Sequence, residues 1–411
     1  MKRVVRWAAC GLALGLGSAP AQTAAPEKPD TDAPAATVPG SAPAFPAAAI
    51  PWIDLSSDTP RQSVVDRDPA QYIGHPTTVL MEDGHTIFAV YPLGHGHGPI
   101  QLKRSDDGGK TWSARLPVPA SWATSAEGPM IYRVPKPDGK SRLLVFSGRQ
   151  VAANDTKHSG ARVRLSVSED EGATWSELAP IGNYGGVAAM ASMLRLADGT
   201  CLAFFHDDAV YWDRPDLAPK QQFRLFEVAS GDGGLTWGKP QVIPTPEAML
   251  LCEPGAVLSP DGGQIAVLLR ENSRKFPSQV VFSNDQGKTW TPPRPLPPGL
   301  MGDRHVARYA PDGRLVVSFR DTNPASPTYG DWVAWVGTYP NLVDGKDGQY
   351  RVRLMKNTEG VDCGYPGVEV LPDGTFAATS YGHWTAKQPP YVVTVRFTLP
   401  ELDAKRPPAA P

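Results

Sequence analysis

The chain has 411 residues, of which 40 are basic and 42 acidic, so its formal charge at neutral pH is −2. No stretch is basic enough to neutralise a run of phosphates, which argues against a nucleic-acid partner. Forty glycines and 44 prolines are spread along the chain, and long runs of helix-forming residues with a 3.6-residue period are absent. The composition therefore predicts an all-β protein with many turns.

The first 21 residues have the pattern of a secretory signal peptide. A charged start, Met1-Lys2-Arg3, precedes a mostly apolar stretch over residues 4–16 and a small-residue cleavage site, Ala19-Pro20-Ala21. We expect cleavage after Ala21 and a location in the periplasm or outside the cell. No later stretch is apolar and long enough to span a bilayer, so membrane insertion is not expected.

Residues 22–48 consist mainly of small and polar residues with proline, and they cannot bury enough apolar surface to fold. We interpret them as a disordered linker and residues 404–411 as a disordered tail, which leaves residues 49–403 for the folded domain. Cys201, Cys252 and Cys363 are too few and too far apart for a disulfide scaffold, although one bridge among them is left open.

An eight-residue pattern, S-x-D-x-G-x-T-W, occurs four times in this domain. The copies start at Ser105, Ser168, Ser230 and Ser283, at intervals of 63, 62 and 53 residues. A period of this length, filled with short strand-like segments, is typical of propeller blades.

Asp-Gly pairs between apolar segments indicate the number of blades. They occur six times, at intervals of 51 to 63 residues, at Asp83-Gly84, Asp138-Gly139, Asp198-Gly199, Asp261-Gly262, Asp312-Gly313 and Asp373-Gly374. Asp-Gly suits a tight hairpin turn that needs a positive φ. We therefore predict a six-bladed β-propeller with four-stranded antiparallel blades.

The tryptophan-containing repeats have a structural explanation. Their Asp can accept hydrogen bonds from backbone amides of the turn, their Gly can adopt a positive φ, and their Trp can pack between neighbouring sheets. Because the motif recurs once per blade, we interpret it as a turn motif and not as a catalytic site.

With these boxes the sequence resembles the sialidase (neuraminidase) superfamily, roughly from Tyr72 to Leu402. The resemblance implies a six-bladed propeller and a glycosidase, in which three arginines hold a substrate carboxylate, a Tyr paired with a Glu is the nucleophile, and an Asp is the acid/base. The stretch from Cys252 to Asn272 resembles the part that supplies the Glu and the second arginine, which implies these roles for Glu253 and Arg270. Gly364-Tyr365-Pro366 resembles the part around the nucleophile, which implies that role for Tyr365.

Other positions depart from the sialidase pattern. The first arginine is replaced in Tyr72-Ile73-Gly74-His75-Pro76, the third has no counterpart near residues 335–339, and His95 and His97 occupy the region of the acid/base Asp. A carboxylate clamp depends on the paired donors of each guanidinium, so loss of two arginines argues against true sialidase activity.

Histidines and polar segments interrupt the strand pattern at similar points of successive blades, which favours a shared rim around one pocket. Imidazole titrates near neutrality and suits proton transfer, so we predict that His75 and His95 are catalytic together with Tyr365 and Glu253. The remaining candidates are predicted to bind substrate: Arg270, Arg304, His97, His206, Asp207, His305 and Arg320.

Three functions fit these residues. The first is an exo-glycosidase that acts on a terminal bond of an acidic glycan, with Tyr365 as nucleophile and Glu253 as its base. The second is a lyase in which a histidine removes a proton beside a uronate carboxylate held by Arg270, and Tyr365 or another histidine protonates the leaving oxygen. In its histidines the sequence is similar to propellers that release rhamnose from rhamnosyl-glucuronate caps. The third is a glycan-binding propeller without catalysis. The sequence predicts a monomer with no cofactor and leaves room for a structural calcium ion.

Overall fold

A computed structural model describes residues 45–125, 127–136, 138–148, 163–182, 187–207 and 223–406. Its strands form six sheets that follow one another along the chain, which confirms the predicted six-bladed propeller. The predicted signal peptide, most of the linker and the last five residues lie outside the described residues.

The strands fall into a short leader followed by the six blades. The leader comprises β1 (Trp52–Asp54) and β2 (Gln62–Asp66). Blade 1 comprises β3 (Thr77–Leu80), β4 (Ile87–Pro92) and β5 (Ile100–Ser105). Blade 2 comprises β6 (Met130–Pro135), β7 (Ser141–Gly148), β8 (Val163–Ser168) and β9 (Ala179–Pro180). Blade 3 comprises β10 (Val187–Arg195), β11 (Cys201–His206), β12 (Leu225–Ser230) and β13 (Gln241–Ile243).

The second half of the ring repeats this plan. Blade 4 comprises β14 (Leu251–Leu258), β15 (Ile265–Glu271), β16 (Gln279–Ser283) and β17 (Arg294–Pro295). Blade 5 comprises β18 (Gly302–Tyr309), β19 (Leu315–Asp321), β20 (Trp332–Gly337) and, after helix α1 (Tyr339–Asp344), β21 (Tyr350–Met355). Blade 6 comprises β22 (Gly367–Val370), β23 (Phe376–Gly382) and β24 (Tyr391–Phe397), and helix α2 (Leu399–Lys405) follows. Three short 3-10 helices cover Thr59–Arg61, Ala120–Thr124 and Pro298–Leu300.

Neighbouring strands within a blade are antiparallel, with two additions from the leader. Strand β2 is the outermost strand of blade 6, where Gln62 pairs with Val395, so residues from the start of the domain close the ring. Strand β1 adds a parallel edge to blade 5. Blade 1 has three paired strands. At the edge where a fourth strand would lie, the Leu116 amide donates a hydrogen bond to the Leu102 carbonyl. Helix α2 includes Ala404 and Lys405, at the point where the sequence predicted the tail to start.

The core is divided among the interfaces between blades. Buried side chains of β15, β19 and β23 face both neighbours, so these strands are buried at every position and do not alternate with exposed residues. Such strands have no solvent face because each blade is packed on both sides. The cysteines Cys201, Cys252 and Cys363 are buried and free, so no disulfide joins them.

The Asp-Gly pairs lie where the sequence predicted, in the hairpins that join the first and second strands of the blades. In the first of these hairpins Gly84 has φ of 74° and its amide bonds to the Met81 carbonyl, whereas Asp83 has a negative φ. The turn therefore needs one positive φ, supplied by glycine, and not the two of a two-residue type I′ turn.

The four Asp boxes have the predicted structural role. In the first box Asp107 Oδ1 accepts the Thr111 amide at 2.9 Å, Asp107 Oδ2 accepts the Thr111 hydroxyl at 2.6 Å, and Gly109 has φ of 82°. The Asp170, Asp232 and Asp285 boxes repeat these bonds. The box tryptophan Trp237 packs edge-on against Phe146 of blade 2 at 5.5 Å, and so joins two blades.

Candidate active site

One face of the ring carries the candidate residues, and the boxes are on the other face. In each blade the first strand runs away from the site, so its start and the end of the second strand lie on the same face. Glu253 is near the start of β14 and Arg270 is near the end of β15. The Asp-Gly turns and boxes follow the opposite strand ends, which separates the structural repeats from the polar cluster.

Local backbone irregularities direct side chains toward the centre of the ring. His75, Glu253 and Arg304 have φ of 52°, 53° and 55°, a region that non-glycine residues rarely adopt. In β14 and β18 the pairing register shifts at these positions, as in a β-bulge. This conformation costs on the order of 1–3 kcal/mol per residue, and such strain concentrates at functional sites.

Tyr365, Glu253 and Arg270 form one buried hydrogen-bonded group. The Tyr365 hydroxyl donates a short hydrogen bond to Glu253 Oε1, and Arg270 Nη1 donates to Glu253 Oε1 at 2.9 Å and to the Tyr365 hydroxyl oxygen at 2.8 Å. The three side chains come from blades 4 and 6 and are at most 9 % exposed. The sequence predicted all three, and the structure brings them together.

A single carboxylate, Asp303, is surrounded by arginines beside this group. Arg274 donates to both of its oxygens at 2.6 and 2.7 Å, Arg320 donates to Oδ2 at 3.0 and 2.7 Å, and Arg270 Nε lies 3.5 Å from Oδ1. Burial would raise the pKa of Asp303, but the three guanidinium groups outweigh it and lower that pKa far below its usual value. Asp303 therefore neutralises part of the arginine charge from within the protein.

A second network is centred on Asp362. The hydroxyls of Tyr72 and Tyr381 both donate to its carboxylate, at 2.8 Å each for the shortest contacts, and His383 Nε2 lies 3.4 Å away. Burial opposes ionisation, but the hydrogen bond from His383 and the charges of His95 and His75 lower the pKa of Asp362 well below its usual value. Burial raises the pKa of both tyrosines, so they remain hydroxyl donors.

These bonds assign different tautomers to the two predicted catalytic histidines. Gly96 N–H donates to His75 Nδ1 at 3.0 Å, so neutral His75 carries its proton on Nε2, which faces the Tyr381 oxygen at 3.3 Å. The Tyr72 proton is directed to Asp362, so its oxygen accepts from His95 Nδ1–H at 3.0 Å. Neutral His95 therefore has its lone pair on Nε2.

His75 and His95 also differ in position. Their rings are 4.8 Å apart, and the His75 ring lies 4.6 Å from both Tyr365 and Tyr381. His75 is 8 % exposed, whereas the side chain of His95 is 34 % exposed. His75 therefore lines the wall behind Tyr365, and His95 lies nearer to solvent at the mouth.

Two other predicted residues lie beneath the site. His206 Nδ1 accepts the Glu253 amide at 3.3 Å, and burial, followed by the charges of Arg270 and Arg304, lowers the pKa of His206 to about 3. His206 is thus neutral and supports the strained backbone of Glu253. Asp207 is fully buried and accepts Arg224 Nε at 2.8 Å. Their geometry favours supporting roles over contact with substrate.

The remaining candidates are divided between the interior and the surface. His305 Nε2–H donates to the Leu300 carbonyl at 2.8 Å, and the ring stacks on Phe319. Arg320 is fully buried against Asp303, with its guanidinium 5.2 Å from the Tyr365 ring. Arg304 is 3 % exposed at the centre of the ring. His97 is exposed on the loop that carries His95.

Several site residues were not predicted from the sequence. Asp362 was overlooked, although it lies three residues before Tyr365, and a carboxylate so close to a predicted nucleophile is a usable signal. Asp303 and Tyr381 lie in the polar segments that interrupt the strand pattern, and Tyr72 begins the segment in which the first sialidase arginine is replaced. Their importance comes from contacts between blades, which spacing along one chain does not reveal.

Within the described ranges, no three His, Cys, Asp or Glu side chains are grouped in a way that could hold a metal ion. None of the helices in the same ranges is long and apolar enough to cross a bilayer. The described residues bring together a tyrosine hydroxyl bonded to a carboxylate, a partly exposed histidine and a set of arginines.

Known proteins share this fold at low sequence identity. A structure of a protein of unknown function from Dyadobacter fermentans is 16% identical, with a TM-score of 0.65, and the match covers 82% of this chain and 97% of that one. A mutant NanB sialidase from Streptococcus pneumoniae is 12% identical, with a TM-score of 0.57 and coverage of 83% and 71%. The intramolecular trans-sialidase from Ruminococcus gnavus is 15% identical, with a TM-score of 0.54 and coverage of 80% and 95%.

Sequence comparison gives the family. A search of curated proteins finds no match. Residues 57–376, most of the chain, match the family model of the BNR repeat-like domain. Because this match spans more than half of the chain, the chain belongs to the BNR repeat-like family.

Proposed function

We propose that the protein is a secreted carbohydrate-active enzyme that cleaves a terminal glycosidic bond in an acidic glycan with retention of configuration. The observation that carries the proposal is the buried contact of the Tyr365 hydroxyl with Glu253, which Arg270 bridges. A neutral hydroxyl beside a carboxylate base is the arrangement required of an activated nucleophile.

The proposed reaction has two steps. Tyr365 Oη bonds to the anomeric carbon while its proton passes to Glu253, and the leaving oxygen keeps the electron pair of the broken bond and takes a proton from His95. Water then gives a proton to His95 and bonds to the anomeric carbon. The bond to Tyr365 breaks, and Tyr365 recovers its proton from Glu253. Such an exchange is the retaining mechanism with tyrosine in the role of the nucleophilic carboxylate.

The hydrogen-bond pattern supports His95 over His75 as the acid/base. His95 turns Nδ1–H toward Tyr72 and Asp362, so its Nε2 is the nitrogen that exchanges a proton. Asp362, whose carboxylate lies 3.7 Å from His95 Nδ1, stabilises the protonated ring. Nδ1 of His75 accepts the Gly96 amide and its Nε2 faces Tyr381, so we assign His75 a positioning role for Tyr365.

Asp303 supports a substrate other than sialic acid. The fully buried carboxylate of Asp303 lies between Arg270, Arg274 and Arg320. Arg274 and Arg320 donate hydrogen bonds to it at 2.6 to 3.0 Å. A substrate carboxylate bound at the same place would meet the negative charge of Asp303, which disfavours it.

A lyase is the second candidate, and the cluster of tyrosines and histidines around Asp362 favours it. His95, Tyr72 and Tyr381 lie together around Asp362, next to the His75 ring that contacts Tyr365. In this alternative His95 removes the proton beside a uronate carboxylate, the glycosidic bond breaks, and Tyr365 gives its proton to the leaving oxygen. The electron pair of the broken carbon–hydrogen bond forms a new carbon–carbon double bond in the uronate.

Incubation of the purified protein with sialosides, rhamnosyl-glucuronides and plant acidic glycans separates these functions. Release of a reducing sugar without new ultraviolet absorbance supports the glycosidase. Absorbance of an unsaturated uronate supports the lyase and contradicts the main proposal. Binding without any product identifies a glycan-binding propeller and contradicts both.

Export is part of the proposal and rests on the pattern of residues 1–21. Expression of the full chain in a bacterial host, followed by mass spectrometry of the periplasmic and medium fractions, should detect a mature protein that begins at Gln22. Recovery of the uncleaved chain from the cytosol alone would contradict export.

A further inference from the structure

Arg304 crosses the centre of the propeller. It begins in the bulge of β18 in blade 5, and its Nη2 lies 2.9 Å from Met130 Sδ at the start of β6 in blade 2. In a ring of six, blades 5 and 2 face each other across the axis. The guanidinium of Arg304 therefore lies near the axis of the ring.

Among the described residues, no carboxylate pairs with this guanidinium. Arg304 Nη1 is buried and has no hydrogen-bond acceptor, and no Asp or Glu of the described residues lies within 4.0 Å of Arg304. A thioether sulfur is only a weak acceptor, so Met130 does not compensate the charge. By contrast, Arg274 and Arg320 both donate to Asp303.

A buried, unpaired guanidinium is strongly unfavourable, and arginine cannot lose its proton to avoid the cost. Burial and the charges of Arg270 and Arg304 keep His206 neutral, so it adds no second positive charge and supplies no counter-charge. A bound anion would supply the hydrogen-bond acceptor that Arg304 Nη1 lacks. Rotation of the Arg304 side chain toward such an anion would break only the weak contact with Met130 Sδ.

We propose that Arg304 binds a carboxylate of the substrate, so that the enzyme selects a sugar acid such as a uronate residue. A guanidinium matches a carboxylate with two parallel N–H donors, which gives both affinity and orientation. The substrate class rests on the proposed function of the site around Tyr365, whereas carboxylate binding can be measured without turnover.

Calorimetric titration with sugar acids tests the proposal. D-glucuronate and D-galacturonate are titrated into the protein. D-glucose, D-galactose, sodium chloride and sodium sulfate are titrated in the same way as controls. The variants are Arg304→Met, which removes the charge, Arg304→Lys, which keeps the charge without the paired donors, and Arg308→Met, a matched control at the exposed end of the same strand. Tyr365→Phe reports on binding without the nucleophile.

We expect the uronates to bind to the unchanged protein, to Arg308→Met and to Tyr365→Phe, and the neutral sugars to bind much less. Arg304→Met should weaken uronate binding by about 10- to 100-fold, as expected for loss of a charged hydrogen bond, with Arg304→Lys in between. Equal uronate affinity in Arg304→Met, or binding of inorganic anions alone, would overturn the proposal. If Arg304→Met fails to fold, the uronate affinity of Arg304→Lys tests the proposal: weaker binding than in the unchanged protein supports it, and equal binding overturns it.

The outcome is separable from that of the proposed function. If Tyr365→Phe keeps its turnover, the nucleophilic mechanism is wrong. Loss of uronate binding in Arg304→Met would still support the assignment of Arg304 to a carboxylate.

Discussion

Tyr365 and Glu253 are 112 positions apart in the chain, and their side chains share a short hydrogen bond beneath the mouth of the site. If the two act as one unit, removal of either should stop the reaction. We expect Tyr365→Phe to lower kcat on the order of 10³-fold or more and Glu253→Gln by about 10²- to 10⁴-fold. The double variant should be no worse than the poorer single variant, because residues that act as a unit are not additive. Additive losses would contradict a shared step.

Variants of the partly exposed His95 and of the buried His75 should depend differently on the leaving group of the substrate. We expect His95→Gln to lose about 10²- to 10⁴-fold in kcat on a natural glycan, and much less on a nitrophenyl glycoside, whose leaving oxygen needs no proton. His75→Gln should affect both substrates alike, because it acts through Tyr365. The comparison requires steady-state kinetics with matched sugars, and the reverse pattern would assign the acid/base role to His75.

The first Asp box should contribute to stability and not to catalysis. Asp107→Ala loses bonds to the amide and hydroxyl of Thr111, and we expect the free energy of unfolding to fall by about 1–2 kcal/mol with kcat unchanged. Asp106→Ala is a matched control, since Asp106 is exposed in the same turn. Urea denaturation measures the difference.

The pH dependence of this box follows from its pKa. Burial alone would raise the pKa of Asp107, but its bonds from Thr111 and Ser105 lower it to about 2. A lowered pKa stabilises the fold above the unfolded value of 3.8, and this contribution is lost as the pH falls from there toward 2. The two variants should therefore converge in stability at the acid end, and a constant difference down to pH 2 would contradict the assignment.

Glu227 should destabilise the protein in alkaline solution. Burial between blades 3 and 4 raises the pKa of Glu227 from 4.5 to about 7. A raised pKa means that stability is full below about 4.5 and is lost as the pH rises through 7, because the folded form must then hold a buried charge. We expect Glu227→Gln to be more stable than the unchanged protein by about 2 kcal/mol at most at pH 8, and no more stable near pH 4.5.

Thermal denaturation at the two pH values measures this effect. Glu247→Gln removes an exposed carboxylate in the connection between blades 3 and 4 and is the control. If Glu227→Gln and Glu247→Gln behave alike at pH 8, burial of Glu227 does not affect stability in this way.

The ring could be predicted from the sequence because it is repetitive. Each blade needs a glycine with positive φ in its first hairpin, and this requirement recurs in the chain as Asp-Gly, from Gly84 to Gly374. The box motif adds a bonding pattern that is complete within eight residues, as in Ser105–Trp112. Local rules of this kind are visible in a single sequence.

The site was predicted only in part, because its contacts connect distant blades. The group of Tyr365, Glu253 and Arg270 was found through resemblance, and its bonds cross from blade 4 to blade 6. Asp362 accepts from Tyr72, 290 positions away, and nothing local in the sequence indicates that bond. His206 was predicted to bind substrate, whereas the structure shows it 2 % exposed with its Nδ1 accepting the Glu253 amide, a contact between blades that the sequence does not indicate.

The pairing of β2 with β24 joins the two ends of the propeller sequence, with Gln62 opposite Val395. Contacts between residues so far apart carry the largest loop-closure entropy of the fold and form slowly. The sixth blade lacks its outer strand until both ends have met, so a chain that is still being synthesised cannot complete the ring. Since the site draws on blades 4 and 6, a functional pocket and a closed ring should appear together, late in folding.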